Sequence, residues 1–211
     1  IRTDFNKRQI SWFPISSYSK TLQETLLIIE DKRFYSHPGV DPIAFGRALR
    51  DMMMGLPRQG ASTLTMQLSD LIRKEVMSGN KKIKKGSIWN KVTQVHGALA
   101  IDLLWSKDEI LEAYLNLIHL RGEYQGVQAF TYAYLQKPPN FLSKEESTLI
   151  TTLIRRPNMS YSKLKRLSCK KGTNAYSDFN CEILDGIISQ LSTSKPKLEN
   201  PYNLAFHFAR K

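Results

Sequence analysis

The spacing of apolar side chains predicts a chain that is almost entirely helical. Leu64, Leu68, Leu71, Ile72 and Val76 recur at i, i+4, i+7, i+8 and i+12, one face of an amphipathic helix, and the hydroxyls of Ser62 and Thr63 are suited to cap its start. Ile88 to Leu104 repeats the pattern, with Val92, Val95, Leu99 and Leu103 expected on the packed face. Three capping boxes mark further helix starts. Thr21-Leu22-Gln23-Glu24 opens a helix that delivers Glu30, and Ser106-Lys107-Asp108-Glu109 opens one carrying Glu112, Tyr114 and Asn116. Ser143-Lys144-Glu145-Glu146 precedes Leu149, Ile150, Leu153 and Ile154, and Pro157 should stop that helix. Asp41-Pro42 offers an N-cap followed by proline at the first helical position, with Gly55 as the stop.

The remaining stretches are less regular. Ile1 to Tyr18 lacks helical periodicity and is expected to form an extended arm with at most a short strand. Gly122 and Gly126 mark a turn ahead of a helical stretch to Leu135. Asn158 to Ser177 should be loop, after which Asp178 can cap a last helix with Phe179, Ile183, Leu184, Ile187, Ile188 and Leu191 on its core face. Ser192 to Tyr202, with Pro196 and Pro201, has the composition of a linker. There is no internal repeat. The expected organisation is an arm over 1–18, one helical domain over 19–192, and a linker or the start of a following region over 193–211.

Composition narrows the function. A chain of 211 residues with 41% hydrophobic and 24% charged side chains can bury a real core, which sets disordered and fibrous classes aside. Lys and Arg number 31 against 19 acids, a net charge of +12, and imply a polyanionic neighbour: nucleic acid, an anionic membrane surface or a phosphorylated substrate. The basic residues are scattered and no reader helix or aromatic platform accompanies them, so nucleic acid is not expected as a partner. Lys81, Lys82, Lys84 and Lys85 are most simply a solvated basic loop. No apolar run approaches the roughly 18 residues that span a bilayer. The chain starts at Ile1 with neither Met nor signal peptide, so any anchor is expected outside it. Met52, Met53 and Met54 cannot all face one core, and part of that helix should meet solvent or lipid. Cys169 and Cys181 fit no metal-ligand spacing; bracketing the polar stretch Lys170 to Asn180, they form either a disulfide closing a small loop or two free thiols.

Candidate chemistry concentrates between Ile29 and Asp41. On a continuing helix Glu30 would share a face with Leu26 and Phe34, where its charged form is disfavoured and its pKa raised, as a general base near neutrality requires. A solvated acid at a helix end is the plainer reading of the same pair, Glu30-Asp31. Likewise, Gly60-Ala61-Ser62-Thr63 is either an anion-binding helix start or an ordinary cap.

Taken in order, these segments resemble the glycosyltransferase family 51 domain, the peptidoglycan glycosyltransferase of class A penicillin-binding proteins. The first family motif stands as Glu30, Asp31, Phe34, His37, Gly39 and Asp41, the second as Gly60-Ala61-Ser62-Thr63-Leu64-Thr65-Met66-Gln67, and the fourth as Ile110-Leu111-Glu112-Ala113-Tyr114-Leu115-Asn116. Gly126-Val127, Lys137 and the helix from Glu146 to Pro157 fit as well, and the wording of the second motif is nearest to the penicillin-binding protein 1C branch. The resemblance implies a mainly α, lysozyme-like domain that polymerises lipid II on the periplasmic face of the bacterial inner membrane. Its partners would be lipid II, nascent peptidoglycan, the membrane surface and other cell-wall synthesis proteins. It implies Glu30 as the base, with Asp31 beside it in the catalytic pair, and Phe34, His37, Ser62, Thr63, Gln67, Lys91, Gln94, Glu112 and Asn116 as substrate-binding positions. Lys91 and the Ser62, Thr63 and Gln67 helix start would hold the lipid diphosphate, with room for a divalent Mg or Mn ion as cofactor. Four positions depart from the pattern: Asn90 and Gln94 replace an arginine and a glutamate, Asp70 replaces a basic residue, and Ala61 replaces a glycine. A second reading is therefore a module that binds lipid II or glycan without transferring it.

Overall fold

The structure, a computed structural model, describes residues 12–56, 60–77, 88–120, 124–157, 159–160, 162–164 and 186–189. Its helices in chain order are α1 (Lys20–Glu30), α2 (Pro42–Met53), α3 (Leu64–Met77), α4 (Ile88–Leu104), α5 (Lys107–Leu117), α6 (Val127–Phe130) and α7 (Lys144–Arg155), with strands β1 (His119–Leu120) and β2 (Tyr124–Gln125) between α5 and α6. The mainly α class expected of a lysozyme-like domain holds. The chain divides into two compact units, Glu30–Leu117 and the pair of segments Ile1–Ile29 and Ile118–Lys211.

Within Glu30–Leu117, α3 packs against both α4 and α5. Thr63 caps α3 as expected, its Oγ1 accepting from the Met66 amide at 3.2 Å. Leu64 and Leu68 are fully buried, but Val76 is 80% exposed, so the apolar stripe serves the core only over the first turns. Thr65, Met66 and Ser69 are buried as well, which shows that α3 is enclosed on more than one face. On α5 the expected capping box is present: the Ser106 amide donates to Glu109 Oε2 at 2.7 Å and the Glu109 amide to Ser106 Oγ at 3.3 Å. Ile110, Leu111, Tyr114 and Leu115 are its buried face.

The packed face of α4 differs from the expected one. Val92, Leu99 and Leu103 are exposed, and Ala98 is the residue fully buried. The cause is size. A Cβ placed on Gly97 would stand 2.1 Å from Ser69 Oγ of α3, and one on Gly39 would stand 2.4 Å from the Ala98 carbonyl oxygen. Helices that approach this closely select the smallest side chains, and a hydrophobic periodicity does not register them.

Helix α2 follows its sequence signals. Asp41 Oδ1 accepts from the Ala44 amide at 2.9 Å, Pro42 occupies the first turn, and Gly55, at φ +65°, follows the C-cap Met54. Burial raises the Asp41 pKa, but the Ala44 amide and the Arg33 guanidinium, 2.7 Å away, outweigh it and hold the carboxyl below its ordinary value. Ile43, Phe45, Leu49, Met52, Met53 and Met54 are all exposed, so the methionine run does point outward as its composition required.

In the other unit, α1 is capped two residues before the expected position: Ser19 Oγ, not Thr21, accepts an amide, that of Leu22 at 3.1 Å. The arm's described part is irregular through Pro14 and then a 3-10 turn at Ile15–Ser17. The turn expected around Gly126 is an antiparallel hairpin pairing His119 with Gln125 and Leu120 with Tyr124, strands too short to leave an alternating pattern. After Gly126, at φ +85°, α6 runs into a π-helical turn at Thr131–Leu135, which is the expected helical stretch in a wider winding. The Ser143 capping box is complete, and Leu149, Ile150, Leu153 and Ile154 are buried on α7 as expected. Residues 186–189 are helical with Ile188 buried. Residues 1–11, Lys81 to Lys85, Cys169, Cys181, Asp178 to Leu184 and Leu191 onward lie outside the described residues. Among the described residues no helix is long and apolar enough to cross a membrane.

Two glycines with the same backbone sign should respond differently. Gly39→Ala combines φ +73° with a backbone clash against Ala98 and is expected to lower the unfolding free energy by about 2–4 kcal/mol in urea titration. Gly55→Ala, at φ +65° with no atom in reach of its Cβ, should cost only about 1 kcal/mol in the same titration.

Candidate active site

Within the Glu30–Leu117 unit, the residues singled out in the first motif do not all face one way. The helix ends at Glu30, and the chain turns through a 3-10 segment at Phe34–Ser36. Phe34 therefore does not extend the face of Glu30; it is fully buried, with the Lys107 ammonium 5.0 Å from its ring centroid. Asp31 is also buried. One of its oxygens receives the Leu64 amide at the start of α3 at 2.9 Å, and the other lies 2.9 Å from His37 Nε2. Thr63 Oγ1 donates to the Gly39 carbonyl at 2.5 Å, and Lys107 Nζ donates to the His37 carbonyl at 2.6 Å. Asp31, His37 and Thr63 thus bind the motif loop to the N-terminus of α3, where a carboxylate is favoured by the helix dipole. The Leu64 and Met66 amides are consumed in this way, so the helix start is built as a cap, and anion contact there falls to side chains.

Glu30 remains half-buried at the end of α1. Its Oε2 accepts from Gln67 Nε2 at 3.0 Å, and Gln67 Oε1 accepts from the Tyr114 hydroxyl at 2.8 Å. Tyr114 is fully buried on α5, and burial together with the Glu30 charge pushes its phenol well above the ordinary value, so it stays a donor. With its oxygen taken by Tyr114, the Gln67 amide can present only its NH2 to the carboxylate. The arrangement holds one Glu30 oxygen in a fixed orientation while that oxygen acts as an acceptor, as a base does before it takes a proton.

A second cluster gathers beside the start of the same helix. Lys91 Nζ on α4 donates to Ser62 Oγ and to Gln94 Oε1, the latter at 3.4 Å. The desolvating surroundings hold the Lys91 pKa below its ordinary value, although attraction to Asp70 opposes the shift. Asp70, 17% exposed at its side chain, takes Arg73 Nη2 at 2.6 Å and Lys74 Nζ at 2.5 Å. Burial raises its pKa, and Lys74, Arg73 and the neighbouring Gln94 amide bring it below the ordinary value. Arg73 Nη1 also reaches Asn90 Oδ1 at 3.5 Å. Glu112 is half-buried on α5, and the fully buried Asn116 donates to its carbonyl at 2.8 Å.

The structure thus joins Glu30 to Gln67, and Lys91 to Ser62 and Gln94, while Phe34, His37, Thr63 and Asn116 point into the unit's interior. The sequence named Tyr114 within the fourth motif but gave it no place in the site, since nothing in its spacing points to a partner on α3. Lys107 was hidden in the same way inside a capping box. Among the described residues no group of three His, Cys, Asp or Glu side chains is placed to hold a metal ion.

Comparison with known proteins agrees with the motif order. A family model described as Transglycosylase matches residues 1–177. The chain is 34% identical over 145 residues to penicillin-binding protein 1A of Mycobacterium tuberculosis, covering 68% of this chain and 17% of that protein. It is 35% identical over 145 residues to penicillin-binding protein 1C of Escherichia coli, covering 68% of this chain and 18% of the relative. It is also 31% identical over 147 residues to the biosynthetic peptidoglycan transglycosylase of Pasteurella multocida, covering 69% of this chain and 56% of that protein. The chain spans less than a fifth of these penicillin-binding proteins. With both the motif order and the match over residues 1–177 in hand, the chain belongs to the transglycosylase family, the glycosyltransferase family 51 that its motifs resemble.

Proposed function

We propose that the chain is a peptidoglycan glycosyltransferase that polymerises lipid II, with Glu30 as the general base. The observation that carries this reading is the chain of hydrogen bonds from Tyr114 through Gln67 to Glu30, which fixes a half-buried carboxylate as an acceptor. In the proposed step, Glu30 takes the proton from the acceptor sugar's 4-hydroxyl as that oxygen attacks the anomeric carbon of the growing strand. The bond from that carbon to the lipid diphosphate breaks, and configuration inverts. A diphosphate leaves without prior protonation, so cations and donors near it suffice, in contrast to the second carboxyl of glycoside hydrolysis. Lys91, Ser62 and Gln94 offer an ammonium, a hydroxyl and an amide for that purpose. Cationic and neutral donors of this kind do not suit a divalent metal. Asp31, His37, Thr63 and Phe34 serve the reaction by holding the loop that carries Glu30.

The substrate's lipid tail and the membrane location go together. The proposed setting is the periplasmic face of the bacterial inner membrane, where the exposed apolar side of α2, with Phe45, Leu49, Met52 and Met53, would rest on the bilayer and basic side chains would meet its anionic headgroups. The rival reading, a module that binds lipid II without transferring it, draws on Gln94, which cannot act as an acid.

Three outcomes are expected. Glu30→Gln should lower polymer formation from labelled lipid II by about 10²–10⁴-fold, and equal polymer from both proteins would reject Glu30 as the base. Tyr114→Phe leaves the Gln67 oxygen without its donor, loosening the amide that positions Glu30, and should lower kcat about tenfold with KM little changed, measured in the same assay. Replacing Phe45, Met52 and Met53 together by Ser should weaken binding to phosphatidylglycerol-containing vesicles by about tenfold or more in a flotation assay, with the fold retained by circular dichroism.

A further inference from the structure

Where α3 packs on α4, positive charge exceeds what the local acid can match. Asp70 takes Arg73 Nη2 at 2.6 Å and Lys74 Nζ at 2.5 Å, and the same carboxylate attracts Lys91 from the facing helix. Among the described residues of this cluster, a guanidinium and two ammoniums therefore share one carboxylate. Cations gathered in partly shielded surroundings repel one another, and an anion binding among them relieves that repulsion.

Arg73 is the member whose hydrogen bonding is least complete. Its side chain is 21% exposed and reaches from α3 to α4. Nη2 is committed to Asp70, Nη1 stands 3.5 Å from Asn90 Oδ1, at the outer limit of a hydrogen bond, and Nε is shielded from solvent with no acceptor. A guanidinium presents its N–H groups in a rigid fork that matches phosphate oxygens, so the unfilled donors favour a ligand of that kind. Asn90, Lys91 and Gln94 lie within about 6 Å along the axis of α4, which places the reach of Arg73 on the same stretch as the Lys91 ammonium and its contacts to Ser62 and Gln94.

We propose that Arg73 is a second cation for the donor's diphosphate, presented from α3 beside Lys91 of α4. The proposal deepens the reading of Lys91 as a diphosphate contact and rests on it. Asp70 holds Arg73 by Nη2, and Nη1 exchanges its long contact with Asn90 for a phosphate oxygen.

Calorimetric titration of inorganic pyrophosphate into the full chain at fixed ionic strength tests this, with Lys20→Gln, at an exposed position on α1, as the control for losing one charge elsewhere. Arg73→Gln is expected to weaken pyrophosphate about tenfold, as Lys91→Gln should. Arg73→Lys, which keeps the charge but not the fork, should fall between Arg73→Gln and the parent. Arg73→Gln combined with Asp70→Asn removes the ion pair without changing net charge, and it should stay as weak as Arg73→Gln alone. Parent affinity in that combined variant would overturn the proposal, because Arg73 would then act only by offsetting Asp70. A loss in Arg73→Gln no larger than in Lys20→Gln would overturn it too, leaving the role of Lys91 intact if Lys91→Gln still weakens binding and removing both roles if it does not. The KM for lipid II, measured in the same variants with circular dichroism as the check on folding, assigns the site to the donor. A KM that rises with the pyrophosphate constant supports the assignment, and an unchanged KM overturns it.

Discussion

The bond between Asp31 and the Leu64 amide at the head of α3 is the constraint on which the rest of the site depends. It is a charge-assisted bond to the positive end of a helix, made by a buried carboxylate whose second oxygen is occupied by His37. Because Glu30 is the neighbouring residue, fastening Asp31 to α3 fixes Glu30 beside that helix start. Because Gln67 lies in the first turn of α3, the same bond sets the distance from Glu30 to its amide partner. Ser62, two residues before Leu64, brings Lys91 to the same place. One helix start therefore organises the Glu30 carboxylate and the Lys91 ammonium, with its Leu64 and Met66 amides spent on the cap.

This division of labour explains why adjacent acids are unequal. Asp31 is buried and doubly committed, so it serves as an anchor. Glu30 is half-buried and takes the Gln67 amide at one oxygen, so its charge is steadied by a neutral donor rather than locked into a cap. Replacing the anchor would leave two buried donors, the Leu64 amide and the imidazole, without their acceptor, a cost of about 1–3 kcal/mol for each such group. A loss of activity on changing Asp31 would therefore report a displaced loop as readily as a lost chemical group, whereas the Glu30→Gln exchange preserves shape and tests chemistry alone.

Much of this was legible in the sequence, and the reasons for success and failure are physical. Caps were read correctly at Asp41, Ser106 and Ser143, where the side chain acts on its own helix and no neighbouring residue offers the same chemistry. The start of α1 was misplaced because Ser19 and Thr21 offer the same chemistry two residues apart. The face of α4 was reversed because hydrophobic periodicity ranks Leu99 and Leu103 above Gly97 and Ala98, while a close helix contact ranks them the other way. Glu30 and Gln67 were both legible as motif residues. Their connection was not, since Tyr114 reaches Gln67 from 47 positions away and its hydroxyl is invisible to a pattern that counts it as core.

The departures at Asp70, Asn90 and Gln94 become one feature once their contacts are known. A glutamate at position 94 would add a second carboxylate to the surroundings of Asp70, and like charges held close in a partly shielded site disfavour each other's ionised form. Glutamine removes that conflict and favours the ionised Asp70. At position 90, asparagine offers an oxygen toward Arg73, where an arginine would add a second guanidinium beside the first. Together the three positions carry the acid on α3 rather than α4 while leaving Lys91 against Ser62. Read one at a time, the three positions suggest a site stripped of its charges. Read together, they describe a site whose carboxylate stands on α3, where its attraction favours the Lys91 ammonium against the desolvation around it.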